Sequence, residues 1–80
     1  MLRIFAIYDE KAQCSQQPFS VPTIGQAERA FQDACKDEST DLGKHPEDYT
    51  LYLVADYDPE KMEVTPNRQQ IVKGAMKDGA

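Results

Sequence analysis

The chain has 80 residues, a formal net charge of −5 and two cysteines, and a chain so short supplies one hydrophobic core, which predicts a single domain over residues 1–80. The acidic balance disfavours nucleic acid and anionic membranes as partners on average, while two isolated cysteines exclude a disulfide framework or zinc site and indicate a reduced, cytosolic setting. No apolar run approaches the roughly 18 residues of a membrane helix, so we expect no membrane-embedded segment and no export.

Two strands are predicted before the first helix. Residues 2–8 are rich in aliphatic and aromatic side chains and are followed by Asp9 and Glu10, as expected of a buried strand that ends in a polar loop. A second apolar stretch, residues 18–22, has a proline at each end. Because proline cannot donate a hydrogen bond to a neighbouring strand, this strand is predicted to be short and to lie at a sheet edge.

One amphipathic helix is predicted to begin after Thr23. Thr23 and Gln26 have the spacing of a capping box, in which the threonine hydroxyl accepts a backbone N–H and the glutamine reaches back. Apolar residues then recur at i, i+3, i+4 and i+7, so one face of the helix is expected to be buried. These positions are Ala27, Ala30, Phe31 and Ala34.

The second half of the chain predicts a surface connection followed by a β-hairpin. Residues 37–48 are polar and contain a glycine and a proline, which are typical of a loop. Residues 49–57 are the strongest strand signal in the sequence, and a turn leads from them into residues 62–65. Residues 69–76 fit either a short helix or a strand broken at Gly74.

The element order β-β-α-β-β predicts a two-layer α+β domain, with a mostly antiparallel sheet of three to four strands and one helix packed on one face. Side chains alternate along strands, and both faces of residues 2–8 and 49–57 are apolar. A single helix covers only one face. We therefore expect Phe5, Ile7, Tyr52 and Val54 to form an exposed patch of the kind that marks an interaction site.

Catalytic and metal-binding interpretations find little support. His45, the only histidine, could act as a general base oriented by Glu47 or Asp48, but no nucleophile stands at a recognisable spacing, and a structural turn is favoured. A divalent-cation site is the weaker interpretation of the carboxylates near residues 56–60, which lack the spacing of a calcium-binding loop. The carboxylates considered for a cation site are Asp56, Asp58 and Glu60. We expect that the protein is not an enzyme and that it binds no cofactor and no metal.

The predicted exposed patch is compatible with two functions, nucleic-acid binding and dimerisation. Phe5 and Tyr52, with Arg3 beside them, are residue types that stack unpaired bases while a cation meets phosphate. The C-terminal region adds basic side chains, since residues 61–80 carry four basic residues against two acidic ones. Of these, the residues predicted to contact nucleic acid are Arg68, Lys73 and Lys77.

The competing interpretation is a dimer interface formed by Phe5, Ile7, Tyr52 and Val54, because tyrosine, phenylalanine and arginine are also enriched in interfaces. A chain of this size hides only about 60% of the surface that its unfolded form exposes, so self-association would stabilise it. From the residues alone the dimer is favoured, since the acidic charge weakens the capture of phosphates. A homo-oligomer, most simply a dimer, is therefore expected.

Four segments resemble a known family: Ile-Phe-Ala-Ile-Tyr-Asp (4–9), Gln-Pro-Phe (17–19), Ala-Xaa-Arg-Ala-Phe-Xaa-Asp-Ala (27–34, where Xaa is any residue) and His-Pro-Glu-Asp-Tyr-Thr-Leu-Tyr (45–52). With these segments the chain resembles the small nonstructural protein of the gokushoviruses, bacteriophages of the microvirus family with single-stranded DNA genomes. The last segment, eight contiguous residues, is the most specific.

The resemblance implies a nonstructural protein made in the cytoplasm of the infected bacterium, which acts in viral DNA replication or in the switch to single-stranded DNA synthesis. It brings no established catalytic residues. The leading hypothesis is therefore a non-enzymatic accessory protein that binds single-stranded DNA or the replication proteins of phage or host. The alternative is a dimeric protein-interaction module that does not bind nucleic acid.

Overall fold

The backbone forms one sheet with a helical layer on one side, in a computed structural model that describes residues 1–75. The α+β class predicted from the sequence is confirmed. In chain order the elements are β1 (Leu2–Asp9), β2 (Cys14–Ser15), β3 (Phe19–Val21), α1 (Ile24–Cys35), α2 (Asp41–Lys44), a 3₁₀ turn (Pro46–Asp48), β4 (Tyr49–Asp58) and β5 (Glu63–Lys73).

All strand pairs of the sheet are antiparallel, in the order β2-β1-β4-β5, and β3 also pairs with β1. The sheet has five strands, where three to four were predicted, because the chain after β1 turns back and adds the two-residue strand β2. The predicted hairpin is present as β4 and β5. For residues 69–76 both a short helix and a strand were possible. The structure shows a strand up to Lys73, which pairs with Thr50.

Helix α1 begins at the predicted capping residue. The Thr23 Oγ1 accepts a hydrogen bond from the backbone N–H of Gln26 at 3.2 Å, and the Thr23 hydroxyl donates to Gln26 Oε1 at 3.1 Å. Ala27 and Phe31 are buried as predicted, whereas Ala30 is exposed. The buried stripe of the helix is centred between Ala27 and Phe31. Ala30 lies roughly 90° around the helix axis from the centre of this stripe.

The core lies between α1 and one face of β1 and β4. The register pairs Phe5 with Leu53 and Ile7 with Leu51, and these four side chains pack with Phe31 of α1. Phe5 is 0% exposed and Ile7 is 8% exposed. The prediction that Phe5 and Ile7 lie on an exposed patch is therefore wrong: they form the covered face of the sheet.

The error comes from the register between β1 and β4. Phe5 was predicted to lie on the same face as Tyr52, but Tyr52 pairs with Ala6 instead. The register also shifts where Ile4 pairs with Ala55 and Phe5 with Leu53, so that Val54 is an extra residue in β4. Such a bulge breaks the alternation of side chains and cannot be inferred from apolar periodicity.

Two glycines lie where the backbone packs closely around the helical connection. A Cβ on Gly43 of α2 would overlap the carbonyl oxygen of Asp37, and a Cβ on Gly74 would overlap that of Pro46. The backbone N–H of Gly74 also donates to Tyr49 O at 2.8 Å. The end of β5 is thereby held against the 3₁₀ turn that precedes β4.

Candidate binding face of the sheet

The sheet has a second face, which points away from α1. Alternation along β1 places Leu2, Ile4, Ala6 and Tyr8 on this side, opposite to Phe5. Directly paired residues of antiparallel strands share a face, so the partners of these residues in β4 lie there too. We call this side of the sheet the open face; the β4 partners are Tyr57, Ala55, Tyr52 and Thr50.

A groove of about 480 Å³ lies on the open face. Tyr8 and Tyr52 meet in it edge to face, with ring centroids 6.3 Å apart and ring planes at 84°. Both tyrosines are half-buried, so part of each ring is accessible. We call this site the tyrosine groove; its lining residues are Ala6, Tyr8, Ser15, Tyr52, Val54 and Arg68.

Arg68 gives the tyrosine groove a positive charge. It is exposed, and it forms no ion pair with any residue in the range 1–75. Its position follows from the irregular pairing of β4 with β5, where the register shifts between Leu53 and Ala55. The guanidinium can therefore contact an anion beside the two aromatic rings, by bidentate hydrogen bonds if that anion is a phosphate or carboxylate.

The other predicted cations are placed differently. The Arg3 Nε lies 3.7 Å from Asp56 Oδ1, and alternation puts Arg3 on the α1 side of β1 with Phe5. The Lys73 Nζ lies 3.6 Å from a carboxylate oxygen of Glu10, which also accepts a hydrogen bond from the Thr50 hydroxyl at 2.9 Å. Lys77 lies outside the described residues.

Of the six residues predicted to contact nucleic acid, the structure thus brings two together, Tyr52 and Arg68, and adds Tyr8. Phe5 is in the core. Tyr8 was not among the predicted residues, because the faces of the two central strands were matched in the wrong register. The signal that could have found it is chemical: the hydroxyls of Tyr8 and Tyr52 suit a partly hydrated face, whereas Phe5 suits full burial.

The acidic residues of the strands lie on the side of α1. By alternation and pairing, Asp9, Asp56, Asp58 and Glu63 all point away from the open face. Within the described strands the open face therefore has no carboxylate of its own, although the chain carries a net charge of −5. Glu10 reaches this face from the loop after β1, where it forms a half-exposed ion pair with Lys73. The strand carboxylates are thus separated from the tyrosine groove, whereas Glu10 shares its face.

The residues considered for catalysis or metal binding lie in loops and strand ends. His45, Glu47 and Asp48 converge, with their possible ligand atoms all within 4.8 Å of one another, and His45 is exposed. The backbone there forms the expected turn, since the Asp48 N–H donates to His45 O at 3.0 Å. The Asp58 Oδ1 accepts a hydrogen bond from the backbone N–H of Glu60 at 3.0 Å, as is common in turns.

The pKa of two groups outside the groove is shifted by burial. Burial raises the pKa of the Cys35 thiol, which disfavours a reactive thiolate on α1. Burial also raises the pKa of Tyr49, and the negative charge of Asp9 and a hydrogen bond to its carboxylate act in the same direction. Both groups therefore remain protonated at neutral pH and serve packing.

The fold and this face define a small α+β domain in which, within residues 1–75, helix α1 covers one side of the sheet and the other side is aromatic. The chain belongs to the phage ORF5 protein family, whose model matches residues 2–77. The match supports the phage origin implied by the resemblance of its four segments. No significant match is found among curated proteins or among solved structures. None of the helices formed by residues 1–75 is long and apolar enough to cross a membrane.

Proposed function

We propose that this phage protein is a non-enzymatic accessory factor of a gokushovirus that binds single-stranded DNA in the tyrosine groove during genome replication in the host cytoplasm. The observation that carries the proposal is the convergence of Tyr8, Tyr52 and Arg68 on a face that the strand carboxylates avoid. The family match supports the phage setting, and the resemblance of residues 4–9 and 45–52 supports the link to replication.

The three side chains suit an unpaired strand. Tyr8, Tyr52 and Arg68 come from β1, β4 and β5, which are neighbours in the sheet. Adjacent strands are about 4.8 Å apart, so the three residues span about 10 Å across the sheet. A short stretch of single-stranded DNA crossing the strands can stack bases against the two rings while Arg68 contacts a phosphate.

The charge of the chain sets the expected strength of binding. Arg68 lines the groove and forms no ion pair with residues 1–75, and Lys73 is partly neutralised by Glu10. For single strands, the logarithm of affinity falls with the logarithm of salt concentration with a slope of about −0.7 per phosphate contacted. Stacking is much less sensitive to salt. We therefore expect modest affinity with a shallow salt dependence.

Fluorescence anisotropy with a labelled single-stranded oligonucleotide tests the proposal, at about 50 mM and 200 mM salt. Intrinsic fluorescence gives a second signal, because the chain has four tyrosines and no tryptophan, and stacked bases should quench Tyr8 and Tyr52. Arg68→Ala should weaken binding. Arg29→Ala is the matched control, because Arg29 is an exposed arginine on α1. Absence of salt-sensitive binding at micromolar protein would refute DNA binding.

A protein partner is the second candidate for the same groove. Val54 is 36% exposed between the aromatic rings and Arg68, and apolar, aromatic and arginine side chains together are also typical of interface centres. This candidate predicts that Tyr52→Ala abolishes co-assembly with a replication protein of phage or host, while the oligonucleotide gives no signal with the unchanged protein.

A further inference from the structure

Three side chains that can ligate a metal converge at the turn that precedes β4. His45 comes just before the 3₁₀ turn Pro46–Asp48, and Glu47 and Asp48 belong to that turn. One imidazole nitrogen and one oxygen from each carboxylate all lie within 4.8 Å of one another. The ligands of one tetrahedral Zn²⁺ ion are about 3–3.5 Å apart, because each lies about 2.0–2.2 Å from the metal. Small side-chain rotations therefore bring all three groups to one ion.

One oxygen of this cluster has no partner among residues 1–75. The Glu47 Oε1 is buried, and no described residue donates a hydrogen bond to it. Burial of a charged oxygen without a donor is costly, so buried carboxylates are almost always hydrogen-bonded, paired with a charge or bound to a metal. Solvent water has almost no access to this atom. The unpaired oxygen therefore indicates a cation as the partner of Glu47, independently of the convergence of the three side chains.

The backbone fixes the positions of the three ligands. Side chains at i and i+3 eclipse in a 3₁₀ turn, which places His45 and Asp48 on the same side. The Asp48 N–H closes the turn by donating to His45 O at 3.0 Å, and Asp48 O accepts from the Glu10 N–H at 2.9 Å. Pro46 is buried, and Gly74 packs so closely on its carbonyl that a Cβ would overlap it. Because the ligands are held in place before an ion binds, little conformational entropy is lost on binding.

The surroundings of the cluster are negatively charged. Residues 41–48 contain three carboxylates and one lysine. Burial raises the pKa of Tyr49, and the charges of nearby carboxylates, Asp41 and Asp48 among them, raise it further. These carboxylates are thus close enough together to act on the same group. A negative potential of this kind attracts a divalent cation and raises its local concentration.

We propose that His45, Glu47 and Asp48 form a binding site for a divalent transition-metal ion, for which Zn²⁺ is the best fit. Imidazole nitrogen suits Zn²⁺, whereas Ca²⁺ and Mg²⁺ prefer shells of oxygen ligands. One nitrogen and two oxygens leave a fourth position of a tetrahedral ion for water. His45 is exposed, so the ion has a route of entry from solvent. The expectation of no metal was based on the spacing of the carboxylates at residues 56–60, and the sequence alone did not show that these three side chains converge.

An ion at this site stabilises the connection between the helical layer and the sheet. The turn follows α2 directly and leads directly into β4, and it packs against Gly74 just after β5. An ion that binds the folded chain more tightly than the unfolded chain increases stability by mass action. None of the three ligands lines the tyrosine groove. The proposed ion therefore supports the fold and takes no part in the contacts proposed for DNA.

Thermal melts of the full chain with and without Zn²⁺ test this inference. The protein is first treated with a chelator, which is then removed, and calorimetric titration with Zn²⁺ gives the dissociation constant. At a Zn²⁺ concentration about five times that constant, the melting temperature should rise by about 4–8 °C. Ca²⁺ at the same concentration should give a much smaller rise, because it gains little from an imidazole ligand. An equal rise with Ca²⁺ would contradict a site built on His45.

Glu47→Gln separates metal binding from a purely structural role. Without Zn²⁺ this variant should melt at the same temperature as the unchanged chain or higher, because it removes a buried charge that residues 1–75 leave unpaired. With Zn²⁺ it should lose most of the rise. Glu60→Gln is the matched control, because Glu60 is an exposed glutamate in the turn after β4, and it should keep the full rise.

His45→Ala provides a second test on an exposed residue, whose replacement should leave the fold intact. It should also lose most of the Zn²⁺ effect, and circular dichroism checks that each variant folds. Zn²⁺ bound at the exposed thiol of Cys14 is common to all variants, so it does not affect their comparison. Equal Zn²⁺ shifts in Glu47→Gln and Glu60→Gln would show adventitious binding only. That result, or the absence of any shift in the unchanged chain, would overturn the inference.

Discussion

Tyr8 and Tyr52 come from different strands and meet edge to face, with ring centroids 6.3 Å apart. The register explains the contact: Tyr52 pairs with Ala6, and Tyr8 pairs with Thr50, so the two tyrosines are diagonal neighbours on one face. The small side chain of Ala6 leaves room beside Tyr52. Two aromatic rings are thereby held next to each other on the side of the sheet that α1 does not cover.

Replacing either ring should weaken DNA binding far more than folding. Stacking of a base on an aromatic side chain contributes about 1–3 kcal/mol, so Tyr52→Ala or Tyr8→Ala should raise the dissociation constant about 5- to 150-fold. Tyr52→Phe keeps the ring and should retain most of the affinity. Anisotropy titrations of these variants and of the double variant measure the effect, and equal affinity of Tyr52→Ala and the unchanged chain contradicts stacking.

Phe5→Ala should act on stability instead. Phe5 is fully buried, stacks on Phe19 with centroids 5.9 Å apart, and packs under Phe31. Truncation of a buried phenylalanine typically costs about 3–5 kcal/mol, which is a large part of the stability of a small domain. Urea denaturation followed by circular dichroism measures this loss. Val54→Ala is a fitting comparison, since Val54 is partly exposed and should change the midpoint little.

The sequence predicts the elements of this fold well because their signals are local. The capping pair Thr23 and Gln26, the apolar spacing to Phe31 and the β-forming residues 49–57 each depend on neighbours within one turn or one strand. The α+β class follows from their order. Pairing between strands is not local, and nothing in residues 2–8 alone specifies which residue of β4 stands opposite Phe5.

The candidate site could be predicted only in part for the same reason. Two apolar faces with one helix require an uncovered face, and this deduction agrees with the structure. Which residues lie on the uncovered face depends on the register between β1 and β4, and a one-residue shift of register exchanges the two faces of a strand. Phe5 and Ile7 were therefore assigned to the wrong side, while Tyr8 was missed. Arg68 was identified from its charge, but its freedom from ion pairing within residues 1–75 needed the coordinates.

Replacement of glycine by alanine is expected to change stability in opposite directions at Gly43 and at Gly25. A methyl group on Gly43 would overlap the Asp37 carbonyl, so Gly43→Ala must displace the connection after α1 and should destabilise the chain by about 1–3 kcal/mol. A methyl group on Gly25 meets nothing within 4 Å. Gly25→Ala in the first turn of α1 should therefore stabilise by up to about 1 kcal/mol. Thermal melts of both variants check this, and equal shifts would contradict the packing described for Gly43.

The buried Tyr49 predicts how stability responds to alkaline pH. Burial raises the pKa of Tyr49 above its ordinary value, and Asp9 raises it further by its charge and by accepting a hydrogen bond. The folded state therefore retains this proton at a pH where the unfolded state releases it. The resulting stabilisation is fully present below the unfolded pKa of about 10 and is lost as pH rises through the folded-state pKa.

Ultraviolet absorbance of tyrosinate should accordingly show Tyr49 ionising in a late step, above the ordinary pKa of tyrosine, or together with alkaline unfolding. Tyr49→Phe should remove the late step. At neutral pH the same variant should lose about 0.5–1.5 kcal/mol, the usual contribution of one hydrogen bond. Its stability should then depend less steeply on pH in the alkaline range, because the group that couples proton release to unfolding is gone. A late ionisation step that persists in the Tyr49→Phe variant would show that Tyr49 is not held by Asp9.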